Sequence, residues 1–279
     1  MLMDELFDRF REECMDDLRD RTRRDYERMF VKLRQEFGTR EARDIRPRDI
    51  VKFLSVKTGR VHRNRLVMLL SMVFSKAIGK WCIDDELRNP CTGVERWTTK
   101  PRKRYVSDEE FAAFRATCCS VVQIAMDLAL LTGQRQGDIV GLKWSQVRMD
   151  GPRKEWFIEI RQGKTGKHLG IGISPAIQAV LERARCLPPS VPCEYVLRTN
   201  ASKKRGERFT TDGFRALWQR HMRDWVRRGN ENFHFHDIRA KSISDNKSLE
   251  NAYLLAGHID QKITRGVYDR NIRMVEPLR

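Results

Sequence analysis

The stretch Trp156-Phe157-Ile158-Glu159-Ile160-Arg161 is rich in aromatic and β-branched residues, and it predicts a short β-strand. A tight glycine-containing turn is predicted over residues 162–167, and a returning strand over residues 168–173. The flanking sequence predicts helices that begin near Ser107 and lie at about residues 121–131, 138–147, 174–186, 210–228, 236–245, 248–257 and 262–270. We therefore expect a mainly α fold with a small antiparallel β-sheet.

The first hundred residues are predicted to be helical. Apolar spacing indicates helices at residues 2–10, 26–33, 48–56 and 61–78, and a fifth element that ends at Asn89-Pro90. A small helical bundle fits this pattern. Residues 98–104 contain a proline, four basic residues and no apolar periodicity, which predicts a linker. We expect a helical domain over residues 1–97, a basic linker over 98–104 and an α+β domain over 105–279.

The chain is strongly basic, with 55 Lys and Arg against 38 Asp and Glu, a formal net charge of +17. This balance favours a polyanionic partner, most often a nucleic acid. Candidate phosphate contacts lie in the polar first turns of the helix near Val61 and in the linker, where a basic segment can follow a phosphate backbone. They are His62, Arg63, Arg65, Lys100, Arg102, Lys103 and Arg104.

A set of basic residues and one tyrosine is spread over the second half of the chain. Its members are Arg135 after Thr132-Gly133-Gln134, Lys164 in the hairpin turn, His236 and Arg239 in His236-Asp237-Ile238-Arg239, His258 after Ala256-Gly257, and Tyr268. The helical spacing of His236 and Arg239 predicts that they share one face. Each residue alone has an ordinary structural explanation, and the specificity comes from the ordered set within one domain.

The types of residue in this set suit phosphodiester chemistry. Attack by a tyrosine on a phosphodiester creates additional negative charge on the non-bridging oxygens, and it requires proton transfer from the phenol and to the leaving oxygen. Guanidinium groups suit the first task without a metal, because each can meet two oxygens at once. The residues therefore predict an enzyme that cuts and rejoins DNA.

The ordered set resembles the tyrosine recombinase, or phage integrase, family over essentially the whole chain. Residues 131–138 look like the family's first arginine box, in which Asp138 matches the supporting acid. Lys164 matches the lysine of the β-hairpin, residues 236–239 look like the second box, His258 matches a position held by histidine or tryptophan, and Tyr268 matches the nucleophile. Residues 1–97 are similar in position to the core-type DNA-binding domain. No catalytic position departs from the pattern.

The resemblance implies a role for each residue. Tyr268 would form a 3′-phosphotyrosine bond and release a 5′-hydroxyl. Arg135 and Arg239 would bind the non-bridging oxygens, and His258 would hydrogen-bond the phosphate. His236 would accept the phenol proton or donate to the phosphate, two alternatives that stay open, and Lys164 would protonate the leaving oxygen. The covalent bond keeps the phosphodiester energy, so neither ATP nor a metal is expected.

The expected partner is double-stranded DNA with core-type inverted repeats, bound by a homo-tetramer on synapsed DNA that is a monomer or weak oligomer when free. Integration or excision of a phage or other mobile element is the leading prediction. Resolution of chromosome or plasmid dimers, type IB topoisomerase activity and a non-enzymatic DNA-binding assembly factor are the alternatives. The first predicted helix begins almost at Met1, so we expect no preceding arm-type domain, and Met274, Val275 and Leu278 are expected to dock on a neighbouring subunit.

The cysteines and the apolar segments indicate an intracellular protein. The seven cysteines lack the spacing of a disulfide framework or a zinc site, which favours free thiols in a reducing cytoplasm. No signal peptide is evident, and the longest apolar stretch, at residues 66–74, is much shorter than a membrane span. We expect no membrane association and a cytoplasmic, nucleoid-associated protein.

Overall fold

The computed structural model describes residues 1–56, 59–98, 104–151, 154–189, 192–200, 205–246, 248 and 254–255. The chain divides into two compact units, Met1–Lys100 and Pro101–Arg279. The division falls inside the predicted linker. Within the described ranges, no helix is both long and apolar enough to cross a bilayer.

The first unit is a bundle of helices α1 (Met3–Cys14), α2 (Asp20–Phe37), α3 (Pro47–Ser55) and α4 (Arg60–Gly79). Helix α4 buries one broad apolar face against the bundle, from Leu66 to Ala77, and leaves Met68 and Met72 exposed on the opposite side. A cluster of phenylalanines fills the space between α1 and α2, where the rings of Phe7 and Phe30 lie 5.3 Å apart. Pro47 begins α3, and the Asp49 carboxylate accepts a hydrogen bond from the Arg46 backbone N–H at 2.8 Å. The predicted bundle is confirmed.

The prediction of a fifth helical element in this unit is wrong. Residues 80–98, all of which the structure describes, form turns and extended segments without a helix. Side-chain contacts hold this segment instead: the Asn89 amide donates to the Ser71 carbonyl at 3.1 Å, and the Trp81 indole donates to Glu13 at 2.9 Å. Arg9 and Lys80 also bind the Glu13 carboxylate. Hydrogen bonds from Lys80, Arg9 and Trp81 lower the pKa of Glu13 to about 2.

The second unit begins with α5 (Asp108–Ala116), α6 (Ser120–Thr132) and the short α7 (Gln136–Val140). The Ser107 hydroxyl caps α5 by accepting a hydrogen bond from the Glu110 N–H at 3.2 Å, so the predicted helix start near Ser107 is confirmed. Three strands follow, β1 (Val147–Asp150), β2 (Glu155–Arg161) and β3 (His168–Gly172), and then α8 (Pro175–Arg185), α9 (Thr211–Arg227) and α10 (Phe235–Ser244). The fold is mainly α with a small antiparallel sheet, as predicted.

The sheet has the order β1-β2-β3, with both pairs antiparallel. The register places Val147 opposite Ile158 and Arg161 opposite His168. Ile158 and Ile160 point to one face of the sheet and are buried in the core. At the centre of that core the Phe114 ring meets the rings of Trp218, Trp225 and Phe233 edge to face.

The structure corrects the predicted helix over residues 138–147. Helix α7 ends at Val140, a single 3₁₀ turn covers Trp144–Gln146, and Val147 begins the strand β1, which was missed. Backbone pairing explains the difference: the Trp144 N–H donates to the Glu194 carbonyl and the Leu142 carbonyl accepts from the Val196 N–H, both at 2.9 Å. These groups are therefore not available to continue a helix. The predicted segments 248–257 and 262–270 lie outside the described residues, except for Ser248, Leu254 and Leu255.

Candidate active site

The first predicted arginine lies in the turn between α6 and α7. Gly133 ends α6 in the left-handed region, with φ of 64°, where glycine is strongly favoured. Arg135 then caps α7, and its carbonyl accepts hydrogen bonds from the Asp138 and Ile139 N–H groups. The half-buried Arg135 side chain donates from Nη1 to the Gln162 Oε1 at 2.9 Å. We call residues 133–135 the arginine turn.

The second predicted arginine meets the same turn from helix α10. Arg239 is 1% exposed, and its Nη1 donates to the Gly133 carbonyl at 2.6 Å. The Arg239 guanidinium thus bonds the turn that carries Arg135, although the two arginines lie more than one hundred residues apart in the sequence. Two positive charges held at one turn favour a bound anion.

His236 and Arg239 differ in burial, although their spacing is that of one helical face. His236 lies in the first turn of α10 and is exposed, whereas Arg239 is buried. The start of α10 is fixed by Asp237, whose carboxylate accepts a hydrogen bond from the His234 N–H at 2.8 Å. Helix α10 therefore presents a histidine at its exposed end and an arginine toward the arginine turn.

Lys164 lies in the turn that joins β2 to β3, as predicted. The Gln162 N–H donates to the Lys167 carbonyl, and the Gly166 N–H donates to the Gln162 carbonyl, both at 2.8 Å. Lys164 is exposed and makes no hydrogen bond or ion pair with the part of the chain that the structure describes. We call residues 162–167 the lysine turn.

Asp138, the predicted supporting acid, connects the two turns. Its Oδ1 accepts a hydrogen bond from the Gly163 N–H at 2.8 Å. Its Oδ2 is buried without a hydrogen-bond partner among the described residues. The described contact of this carboxylate is therefore with the backbone of the lysine turn.

The glutamines Gln134 and Gln162 were missed by the sequence analysis, and both are 0% exposed. Gln162 bonds Arg135, as above, and its Nε2 donates to the Gln134 Oε1 at 2.8 Å. The only sequence signal for these glutamines is their position close to Arg135 and Lys164. This position does not predict burial, because a glutamine next to a turn is more often exposed.

An ion network around the buried Lys241 supports the other face of α10. The Lys241 ammonium, 1% exposed, donates to Asp108 at 2.7 Å, to Asp245 at 2.8 Å and to the Tyr105 hydroxyl at 3.2 Å. The Tyr105 hydroxyl in turn donates to Asp245 at 2.6 Å. Burial by itself lowers the pKa of Lys241, but the hydrogen bonds to Asp108, Asp245 and Tyr105 outweigh it and raise the pKa above its ordinary value.

The predicted nucleophile Tyr268 and the predicted His258 lie outside the described residues, as do Met274, Val275 and Leu278. Leu255, three residues before His258, is described, and its carbonyl accepts a hydrogen bond from the Gln134 Nε2 at 2.9 Å. The structure therefore brings Arg135, Arg239, Asp138 and the lysine turn together, and it connects them to the chain just before His258.

The predicted DNA contacts of the first unit lie at the start of α4. The Arg63 side chain donates to the Phe53 carbonyl at 2.7 Å and stacks on the Phe53 ring, whereas Arg65 is half exposed and 3.5 Å from Asp25. Burial and the nearby charges of Lys32, Arg65 and Arg63 lower the pKa of His62, which favours its neutral imidazole. Arg65 is the more accessible cation of this group.

The predicted linker contacts are only partly described. Lys100, Arg102 and Lys103 lie outside the described residues. Arg104 is packed into the second unit, where its guanidinium forms ion pairs with Glu110 and Glu231. Its charge is thus largely matched by carboxylates of the same unit, which differs from the expected solvent-facing linker cation.

The model of the Phage integrase family matches residues 104–272, more than half of the chain. The integrase of Escherichia phage HK022 is 27% identical over 169 residues, which cover 58% of this chain and 45% of that protein. The chain thus spans about half the length of this relative.

Solved structures share the fold. A lambda integrase dimer bound to a COC′ core site superposes with a TM-score of 0.79 at 19% identity, over 100% of this chain and 80% of that one. A lambda integrase tetramer bound to a Holliday junction gives the same TM-score at 18% identity, with the same coverage of both chains. At these identities the similarity establishes the fold.

Proposed function

The chain belongs to the phage integrase family, and from this premise we propose that it is a site-specific recombinase that cuts and rejoins DNA strands through Tyr268. The observation that carries the proposal is the meeting of Arg135 and Arg239 at the arginine turn, beside a hairpin turn that presents Lys164. Two guanidinium groups near the same turn suit the non-bridging oxygens of a single phosphate.

The proposed reaction is a transesterification. The Tyr268 oxygen attacks the scissile phosphorus, the bond from phosphorus to the 5′-oxygen breaks, and a 3′-phosphotyrosine forms. Lys164 gives a proton to the departing 5′-oxygen. The phenol proton passes to His236 or, if His236 donates to the phosphate instead, to solvent water. Arg135, Arg239 and His258 bind the non-bridging oxygens, whose negative charge increases in the transition state. The reverse reaction with a different 5′-hydroxyl joins the new strands.

The function of the first unit in this proposal is to bind DNA. Its fold is a helical bundle with basic residues at the start of α4, among which Arg65 is half exposed. Lys100, Arg102 and Lys103 would extend the basic surface along the phosphate backbone. The partner would be duplex DNA with inverted core-type repeats, bound by four copies of the chain. The lambda integrase tetramer on a Holliday junction supports this stoichiometry by similarity of fold.

The first test is the covalent intermediate. Nicked duplexes that tile the DNA flanking the gene are incubated with the chain, and protein–DNA adducts are separated on a denaturing gel. The nick releases a short fragment after cleavage and so traps the adduct. We expect an adduct with the wild-type chain and none with Tyr268→Phe, which should still bind the same duplex. An adduct that persists in Tyr268→Phe would assign the nucleophile to another residue.

A second test concerns the role of Lys164. A substrate with sulfur in place of the bridging 5′-oxygen has a leaving group that needs no general acid. Lys164→Ala should therefore cleave this substrate at nearly the wild-type rate and the normal substrate much more slowly. Equal loss on both substrates would remove Lys164 from the role of acid.

Relaxation of a supercoiled plasmid without the preferred site would favour type IB topoisomerase activity.

A further inference from the structure

Gln162 and Gln134 form a buried chain of hydrogen bonds that joins three parts of the proposed site. Gln162 lies at the start of the lysine turn, Gln134 lies in the arginine turn, and Leu255 lies three residues before His258. Both glutamine side chains are fully buried, where an amide group that loses its partner costs about 1–3 kcal/mol. This cost favours the arrangement in which both amides keep their hydrogen-bond partners.

The orientation of each amide follows from its partners. A guanidinium only donates, so the atom of Gln162 that contacts Arg135 at 2.9 Å is an acceptor, Oε1. The Thr165 hydroxyl donates to the same oxygen at 2.8 Å. The Gln162 Nε2 must then donate to the Gln134 Oε1, and this directs the Gln134 Nε2 to the carbonyls of Thr132 and Leu255, each at 2.9 Å.

The Gln162 oxygen is therefore shared by a residue that would bind the phosphate and by the turn that carries the proposed acid. Movement of this oxygen would displace both Arg135 and Thr165, the neighbour of Lys164. The contact from the Gly163 N–H to Asp138 of α7 is a second link, between the lysine turn and the helix that follows the arginine turn. The segment 134–138 thus holds the lysine turn at two points.

We infer that Gln162 and Gln134 are positioning residues that set Arg135 and the lysine turn in one register and couple both to the segment before His258. This inference rests on the proposed function, since the groups positioned are those of the proposed reaction. Neither glutamine contacts a reacting atom in this scheme. Their effect would be expressed through the geometry of Arg135 and Lys164, to which reaction rates are sensitive at the scale of 1 Å.

The test uses the full chain with Gln162→Met, Gln134→Met and the double variant. Single-turnover adduct formation on the nicked duplex should fall by about 100-fold in each single variant. The double variant should be no more than about threefold slower than the slower single variant, because the two residues act as one unit. Multiplied losses, or a rate equal to that of the control, would overturn the inference.

Gln146→Met is the matched control. Gln146 is a half-buried glutamine whose amide donates to the Glu159 carbonyl of β2 at 2.7 Å and whose oxygen accepts from the Lys143 N–H, away from both turns. Its replacement disturbs the same sheet without removing a hydrogen bond of Gln162 or Gln134. We expect its rate of adduct formation to be within about threefold of wild type.

The bridging-sulfur substrate separates positioning from a general loss of structure. If Gln162 positions Lys164, the ratio of the sulfur rate to the oxygen rate should rise about tenfold in Gln162→Met and stay unchanged in Gln146→Met. An unchanged ratio in Gln162→Met would refute the coupling to the acid. A wild-type chain that forms no adduct would instead refute the proposed function.

A second variant covers the case in which Gln162→Met does not fold. Gln162→Glu has nearly the same shape and keeps the acceptor for Arg135 and Thr165, but it loses the donor to Gln134. Its adduct rate should fall by about tenfold at a temperature where it is folded. A wild-type rate in this variant would show that the contact between the two glutamines is not used.

Discussion

Replacement of Lys241 by methionine tests whether the buried ion network holds helix α10 in place. Methionine keeps an unbranched apolar side chain in the same space and removes only the ammonium group. The three hydrogen bonds of that group, to Asp108, Asp245 and Tyr105, are lost together. Because α10 carries His236 and Arg239, the change bears on the stability of the proposed site.

The expected magnitude follows from the exposure of each partner. The Asp108 side chain is 86% exposed, so its ion pair contributes at most about 1 kcal/mol. The Asp245 side chain is 34% exposed, and a hydrogen bond to a charged group contributes about 1.5–3 kcal/mol. Asp245 keeps its bond from Tyr105 and gains water, which reduces the loss. We expect the free energy of unfolding of the second unit to fall by about 2 kcal/mol, or about 4–8 °C in Tm.

The measurement is urea unfolding of the full chain, with hydrogen exchange of a peptide that covers residues 235–244 to assign the loss to α10. Lys143→Met is the matched control, because Lys143 pairs with Glu194 at the surface with side chains 39% and 57% exposed. It should change the unfolding free energy by less than about 0.5 kcal/mol. Equal effects of the two variants, or unchanged exchange in α10, would refute the argument.

The network also has an expected pH dependence. The pKa of Lys241 is raised in the folded chain, so its contribution to stability is complete below the pKa of the unfolded lysine, about 10.4, and decreases as pH rises through the folded value. The difference between wild type and Lys241→Met should therefore be constant from pH 7 to 9. A difference that disappears within this range would contradict the proposed pairing.

Three further predictions address the turn, the first unit and the core. Gly133→Ala should slow adduct formation about tenfold, because a Cβ at this φ of 64° would lie 3.3 Å from two side chains. The control Gly229→Ala, at a φ of 85° with open space around it, should leave the rate unchanged. Equal rates in the two variants would refute this reasoning. Glu13→Gln should reduce the loss of Tm on acidification, because the lowered pKa of Glu13 gives stability that is present above about pH 4.5 and is lost as pH falls toward 2; a Tm profile parallel to wild type from pH 5 to 3 would contradict it. Phe114→Ala should destabilise the second unit by about 3–5 kcal/mol, measured by urea unfolding against the exposed Met149→Ala, which should cost less than about 0.5 kcal/mol.

Local patterns predicted most of the secondary structure because they depend on neighbouring residues. The hairpin of residues 155–172 and the cap at Ser107 are both local, and the structure has both. The helix predicted through residue 147 failed for the opposite reason. Its backbone groups bond to residues 194–196, and this pairing depends on chain far away in the sequence. The strand order β1-β2-β3 of the sheet likewise could not be predicted from local sequence patterns.

The family, the mainly α fold and the identity of the basic residues follow from the amino-acid sequence, because motif order and apolar spacing are properties of the chain alone. How these residues meet depends on the tertiary structure. In the folded chain Arg239 bonds the turn that carries Arg135, and Lys241 is buried beside two carboxylates. Gln162 and Gln134 form a chain of hydrogen bonds. Burial makes each of these contacts specific, because a polar group removed from water must find its partner within the fold.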